Sequence, residues 1–342
     1  MIHKFWLIFA IYFLAGCHRA TERVVLYCAQ DRPFAEPIFA EFTRTTGVAL
    51  VPKYDSEANK SVGLFRELQL EVKHPRCDVH WNNEIITTLM LAHDGILEPY
   101  DSPAAAPFPD FAKAADHTWH AFAARARVLI INTEKLGRET PPTSLLDLTD
   151  PRWSGRLVMA KPNFGTTATH AVCLFEVLGA EQAKSFFRGL SANKIAIMPG
   201  NKQVAEAVGR GEFAVGMTDT DDAMDEINNG RPVRIIFPDA AGGTEKYPRM
   251  GTLFIPNTVA VVKGAPNPTA ARKLVDYLLS PEVEEKLAVA GGYQIPLNPN
   301  VKADLPAALS PARQAKPMKV DFGKAAAMWD EMQTFLRNEF AR

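Results

Sequence analysis

VVLYCAQDRPFAEPIFAEFTRTTGVALVPKY (24–54) changes its periodicity twice, and that change sets the fold class. VVLYCA is an apolar, partly β-branched run of strand length. From Asp31 to Thr46, Phe34, Ile38, Phe39 and Phe42 recur at the three-to-four spacing of one helical face. Gly47 stands where a helix C-terminal cap is expected, and VALVPKY opens a second strand. The alternation continues with a helix over 59–72, the strand DVHWNN (78–83), and a helix over 84–93 that stops at Gly95. Such alternation predicts a parallel sheet under covering helices, with ligand sites where strand C-termini meet helix N-termini.

A second alternating unit begins near Arg125 with ARVLIINT and runs through GRLVMAKP, helices over 167–178 and 180–190, IAIMPG, and a helix over 202–210. The strand FAVGM follows, closed by TDTDDA, and then LFIPNTVAVVKG and a helix over 268–279. The class is therefore α/β: two doubly wound lobes joined by a two-segment hinge near 117–131 and 250–263, with a ligand cleft between them. The expected division is 24–118 with 252–300 in one lobe, and 119–251 with 301–342 in the other. PAAAPFPD (103–110) and PAALSP (306–311) are expected to be surface connections.

Composition agrees with two globular domains, since the chain has 342 residues, 47% hydrophobic and 23% charged. A formal charge of -1 excludes the basic excess of a nucleic-acid binder. Four cysteines without a CxxC pair exclude a disulfide framework, and Cys28, Cys77 and Cys173 suit small apolar core positions. Met1 to Cys17 reads as an export leader, with Lys4, an apolar run from Phe5 to Ala15, and small residues before Cys17. Leu14-Ala15-Gly16-Cys17 resembles a lipobox, so residues 1–16 are expected to be removed, Cys17 to carry lipid, and 17–23 to form a tether. Such a chain is exported and held at a membrane without spanning it.

YCAQDRPFAEPIFAEFTRTTG (27–47), CDVHWNNEIITTLMLAHDGILEPY (77–100), WHAFAARARVLIINTEKL (119–136), SLLDLTDPRWSGRLVMAKPNFGTTATH (144–170), NKQVAEAVGRGEFAVGMTDTDDA (201–223) and YLLSPEVEEKLAVAGGYQIPLNP (277–299) together resemble the ferric-iron-type periplasmic solute-binding proteins of bacterial ABC importers. The resemblance implies the type 2 periplasmic-binding fold, capture of a solute between the lobes, and delivery to a permease with its ATPase. It implies a monomer, no catalytic residue and no resident cofactor; a metal ion enters only as cargo. Iron-binding members of that family place a His after the first strand, a Glu after the third, and two adjacent Tyr after the strand matching FAVGM. Here those places hold Asp31, Asn83 with Glu84 beside it, and Asp221-Asp222. A carboxylate set of Asp31, Glu84, Asp221 and Asp222 would suit a hard cation, but it is not the family's ligand set. Relatives with altered ligands take phosphorylated sugars or organophosphonates, so the cargo stays open between a metal ion and a polar organic solute.

Several residues at the expected strand ends are ligand candidates. Thr218, Asp219, Asp221 and Asp222 follow an apolar strand in greater number than helix capping requires. Gly165, Thr166 and Thr167 offer backbone N–H groups and hydroxyls to an anion at a helix start. Asp31 follows the first strand; Trp81, Asn83 and Glu84 follow the third, where Trp81 would stack on a sugar or simply pack. Arg125 and Arg127 alternate on an extended segment, so both fall on one face; either one of them reaches the cleft or, the favoured expectation, they form a surface pair. Asn201 and Lys202 either reach an anion or cap a helix. The presumed cleft thus looks acidic, which favours a cation or a polyol over bare phosphate. An anionic head on Thr166 and Thr167 with a hydroxylated or amino tail on the Asp cluster satisfies both parts.

Two other classes compete with import. GMTDTDDA approximates the nucleophile motif of haloacid-dehalogenase-type phosphatases, with Asp219 attacking and Asp221 as general acid, but it lies far from the start of the fold and lacks the later Lys and metal motifs. A sensor that presents its solute to a membrane receptor would use the same lobes.

Overall fold

A computed structural model describes residues 22–55, 62–289 and 291–340. The expected leader, Cys17 and the start of the 59–72 helix lie outside the described residues. In chain order the main elements are β1 (Arg23–Cys28), α1 (Arg32–Thr46), β2 (Ala49–Tyr54), α2 (Val62–Leu70), β3 (Val79–Asn82), α3 (Ile86–His93), β4 (Leu97–Glu98) and the long β5 (His120–Asn132). Then come α4 (Thr133–Leu136), β6 (Leu157–Ala160), α5 (Gly165–Leu178), α6 (Ala180–Ala192), β7 (Ala196–Met198), α7 (Asn201–Gly209), β8 (Val215–Asp219), α8 (Thr220–Asn228) and β9 (Val233–Ile236). The chain closes with β10 (Phe254–Val262), α9 (Pro268–Leu278), α10 (Pro281–Val289), α11 (Phe322–Ala327) and α12 (Trp329–Phe335).

The opening stretch folds as its periodicities require. Ile38, Phe39 and Phe42 on α1 are buried, and the helix ends at Gly47, whose φ of 71° lets its N–H bond the Thr43 carbonyl at 3.0 Å. β1 lies between β2 and β3, parallel to both.

The sheet as a whole is not parallel, which corrects the expectation. Its strand order is β2-β1-β3-β10-β5-β8-β6-β7, with β10 antiparallel to β3 and β5, and β5 antiparallel to β8. The two expected extended segments have become β5 and β10, side by side between two parallel halves. β5 pairs through its first part with β10 and through Arg127–Asn132 with β8 and β9. Every residue of β5 is buried, because both faces of the sheet are covered. In the second half, Leu129 and Ile131 join the core under α5 and α6, while Val128 and Ile130 join a separate core under α7 and α8. That split is the two-residue period of a strand.

Midway along the β5–β10 pair a bulge falls at Ala123, which takes a φ of 39°, and the register shifts between Pro256 and Asn257. Buried Glu284 accepts the Ala123 N–H at 2.6 Å and those of Leu297 and Asn298 at 2.9 and 2.8 Å, tying this kink to the 294–298 segment. The Pro-rich stretches are not mere surface connections: Ala105 and Phe108 of the first, and Leu309 of the second, are buried. α11 packs against α3 of the first half and α5 of the second. Cys28, Cys77 and Cys173 are buried.

Candidate functional site

β1, β3, β6, β7 and β8 all end toward one cavity, and the helices that follow them begin there. The cavity, about 510 Å³ with the open space at its mouth counted, lies between the β1–α1 and β3–α3 loops on one side and the starts of α5, α7 and α8 on the other. Crossovers on both sides of β5 and β10 leave this crevice open at the strand ends, where an open α/β sheet binds its ligands.

Three helix starts at the cavity lack a side-chain cap. The N-cap positions are Phe164 for α5, Gly200 for α7 and Asp219 for α8, and none accepts a hydrogen bond from its own helix through a side chain. Gly165 begins α5 at a φ of 60°, a conformation that costs glycine little and leaves open space where a Cβ would stand. First-turn N–H groups and the positive helix ends therefore face the same space, an arrangement suited to an anion.

Behind these helix starts lies a buried polar network. Arg127, 1% exposed, places Nη1 2.7 Å from Asp219 Oδ1 and 3.2 Å from Asn201 Oδ1. Asp219 Oδ2 accepts the Thr166 hydroxyl at 2.5 Å and the Asn201 amide at 3.0 Å. Thr167 donates to Asn201 Oδ1 at 3.0 Å, and Thr218 to the Asn201 carbonyl at 3.1 Å. Burial by itself raises the Asp219 carboxyl, but Arg127, Arg125 and the Thr166 hydroxyl more than reverse this and hold it below the usual range. His170 accepts from Arg127 Nε through Nδ1 at 3.4 Å; burial and the guanidinium together lower its pKa to about 3, so the ring is neutral.

Arg125, 3% exposed, lines the cavity itself. It donates to the Asn83 carbonyl from Nη2 and lies 3.4 Å from Asp221 Oδ2, joining the two walls. Burial opposes its charge, yet Asp221, Asp219, Asp31 and Asp222 raise its pKa above normal. The expected surface pair is thus a pair of buried cations. A strand covered on both faces admits a charged side chain only where a partner neutralises it, and Asp219 at the end of β8 and Asp221 in the first turn of α8 are those partners.

Of the residues singled out in the sequence, Asp31, Asn83, Gly165, Thr166, Thr167, Asp219, Asp221 and Asp222 line the cavity. Three do not. Trp81 has no exposed surface: it packs on Phe39 and Phe122 and donates to Asn257 Oδ1 at 3.2 Å, so it is a core residue. Glu84 is spent on its own helix, accepting the N–H groups of Ile86 at 2.6 Å and Thr87 at 3.0 Å, the Asn82 amide at 2.9 Å, and the Thr169 hydroxyl at 2.9 Å. Thr218 is buried beneath Asn201. Asn201 and Lys202, weighed in the sequence between anion contact and capping, line the cavity too, as does Arg125, and Lys161 and Phe164 join them. Its charge is consequently balanced rather than acidic: the carboxylates of Asp31, Asp219, Asp221 and Asp222 face Arg125, Lys161 and Lys202, with Arg127 bonded behind.

Carboxylate oxygens of Asp219, Asp221 and Asp222 lie within 4.8 Å of one another, close enough to share a cation. Two of them already have guanidinium partners, and no tyrosine lines the cavity among the described residues. Asn83 Oδ1 and Arg125 Nε are buried without a hydrogen-bond partner at this wall. One acceptor and one donor therefore remain for a ligand.

Fold and site together define a solute-binding protein with a polar cavity between two α/β halves. Residues 89–322 match the family described as bacterial extracellular solute-binding protein, and the chain belongs to it. It is 26% identical over 301 residues to the "Major ferric iron-binding protein" of Neisseria meningitidis, covering 84% of this chain and 85% of that one. It is also 26% identical over 265 residues to a "Putative 2-aminoethylphosphonate-binding periplasmic protein" of Salmonella typhi, with 75% and 72% covered. Among solved structures, the periplasmic binding protein AfuA from Actinobacillus pleuropneumoniae, with exogenous fructose-6-phosphate bound, superimposes with a TM-score of 0.77 at 23% identity, covering 94% of this chain and 99% of that one. These likenesses give the fold expected from the sequence, the type 2 periplasmic-binding fold.

Proposed function

We propose that this chain captures a small organic anion bearing a phosphonate or phosphate head and hydroxyl or amino groups, and delivers it to an ABC permease. The observation that carries the reading is the pairing inside the cavity. Uncapped starts of α5 and α7 stand with Lys161 and Lys202, and Arg125 spans the two sides, while Asp221 and Asp222 at the start of α8 and Asp31 and Asn83 across the cavity supply acceptors. The first group suits the oxyanions and the second suits donors on the remainder of the solute. A relative named for 2-aminoethylphosphonate and a like-folded protein holding fructose-6-phosphate support this chemistry.

Iron is the second reading, supported by the ferric-iron relatives and the triad of Asp219, Asp221 and Asp222. The guanidinium partners of Asp219 and Asp221 weigh against it, because a trivalent cation there would displace them. Those same bonds disfavour a phosphatase, since a carboxylate holding Arg127, Thr166 and Asn201 is a poor nucleophile. The two lobes expected above, hinged at β5 and β10, would close over the cargo. We further place the mature protein outside the cytoplasm as a monomer, with lipid on Cys17.

Isothermal titration of the purified protein against 2-aminoethylphosphonate, fructose 6-phosphate and ferric citrate separates the readings. Binding of either organophosphorus compound with none of iron is expected. Heat from iron alone would reject the organic-anion reading.

A further inference from the structure

The end of the first half opposite the cavity carries a surface that the capture of a solute does not use. β1 and β3 begin here, so Glu22 lies on this end, joined to β2 by the Ala49 N–H at 2.8 Å. The 71–78 turn comes alongside through the Asp78 N–H to the Val25 carbonyl at 2.9 Å. The 262–265 turn joins it through the Val262 N–H to the Asp78 carbonyl at 3.0 Å. Leu70 is 87% exposed and Val72 54% exposed on this end. With Leu68, Glu71, Pro75, Ile96, Val262 and Lys263, Val72 also lines a mainly apolar recess of about 310 Å³, the open space at its mouth counted.

The charged rim of this patch is basic. Arg23, Lys73 and Lys263 are exposed and form no ion pair among the described residues. Of the nearby carboxylates, Glu22 is paired with Lys273 at 2.8 Å and Glu71 with Arg76, while Asp94 accepts only the neutral Gln69 amide at 3.1 Å beside His93 and keeps its charge, one acid against three cations. Aliphatic side chains ringed by unpaired lysines suit the boundary between acyl chains and anionic headgroups.

We propose that this end is a bilayer-contacting base, with Leu70 and Val72 entering the headgroup region and Lys73 and Lys263 lying on anionic lipid. The proposal rests on lipidation of Cys17, and the length of chain outside the described residues is what selects a membrane as the occupant. Five peptide steps separate Cys17 from Glu22, a span of at most about 18 Å when fully extended. A globule of this size is about 50 Å across. A lipid on Cys17 therefore holds this end, and not the cavity end, against the bilayer.

The test uses the full lipidated chain in vesicles of phosphatidylethanolamine and phosphatidylglycerol at 3:1, containing a lipid with a nitroxide on its headgroup. A fluorophore is attached through Leu70→Cys or, on the second half, Ile197→Cys. Both positions are exposed, and the native thiols at 28, 77 and 173 are buried and unlabelled. Quenching at position 70 should exceed that at 197 at least threefold, and Lys73→Gln or Lys263→Gln should each lower surface residence roughly fivefold. Equal quenching at both positions in a chain whose mass shows lipid on Cys17 overturns the base but leaves the lipoprotein reading intact. Absence of that lipid mass overturns both. Quenching at 70 that requires membrane protein in the vesicles assigns the patch to a protein partner and likewise overturns the proposal.

Discussion

Replacing Arg127 by Met tests whether the network behind the cavity is held together by one buried ion pair. Arg127 Nη1 and Asp219 Oδ1 are 2.7 Å apart and both residues are almost wholly buried, so water screens the pair little. Removing the guanidinium leaves the Asp219 carboxylate with Thr166, Asn201 and the more distant Arg125. Breaking a buried pair from one side costs about 3–5 kcal/mol. With an unfolding entropy of about 2.1 cal/mol/K per residue, a loss of about 4 kcal/mol lowers the melting temperature of a chain this long by about 6 °C. Asp219→Asn should cost less, because Asn201 and Thr166 still supply partners to Arg127. The double variant should cost about 2 kcal/mol less than the sum of the single ones, since neither buried charge then remains. Urea denaturation followed by far-ultraviolet circular dichroism measures all three. Single variants that each lose under about 1 kcal/mol, or a double variant equal to their sum, would refute the coupling.

Arg125→Gln removes the cation that faces the cargo and touches both walls. It should weaken binding of 2-aminoethylphosphonate or fructose 6-phosphate by at least about tenfold, the scale of one charge-assisted bond, and calorimetry showing unchanged affinity would exclude Arg125 from the site. Trp81→Phe should cost about 1–3 kcal/mol through lost packing and the lost Asn257 bond while leaving affinity as it was; a selective loss of affinity would return Trp81 to the site. His170, with a pKa lowered to about 3, binds fewer protons folded than unfolded. Its stabilisation is complete above the unfolded value near 6.5 and declines as pH falls toward 3, by about 1.4 kcal/mol per pH unit. His80, lowered by burial to about 4, adds the same slope over most of that range. Melting temperatures from pH 7.5 to 5 should fall, and fall less steeply in His170→Gln; an equal slope in both proteins counts against a buried neutral ring. Gly216→Ala places a Cβ 2.8 Å from Val204 and 2.9 Å from Val208, and thermal melts should show a loss of about 1–3 kcal/mol where α7 meets β8.

Local pattern alone determined a good part of this protein. The α/β class, the cap at Gly47, the helix starts and stops to within a few residues, and eight of the eleven cavity candidates follow from periodicity and from which residues stand at strand ends. Each depends on neighbours a few positions apart, which is the range over which helices and strands form. Tertiary structure alone decided the rest, because it depended on residues distant in sequence. The antiparallel course of β5 and β10 is set by pairing across more than a hundred residues, while the pairing of β5 with β8 sets Arg127 opposite Asp219, and the start of α8 brings Asp221 to Arg125. An apparently acidic cluster thereby becomes a charge-balanced pocket. Glu84 and Trp81 carry the residue types of ligand contacts. The three-dimensional packing of Phe39, Phe122 and Thr169 around them turned one into a helix cap and the other into core, since a buried polar atom must find its partner wherever the fold supplies one.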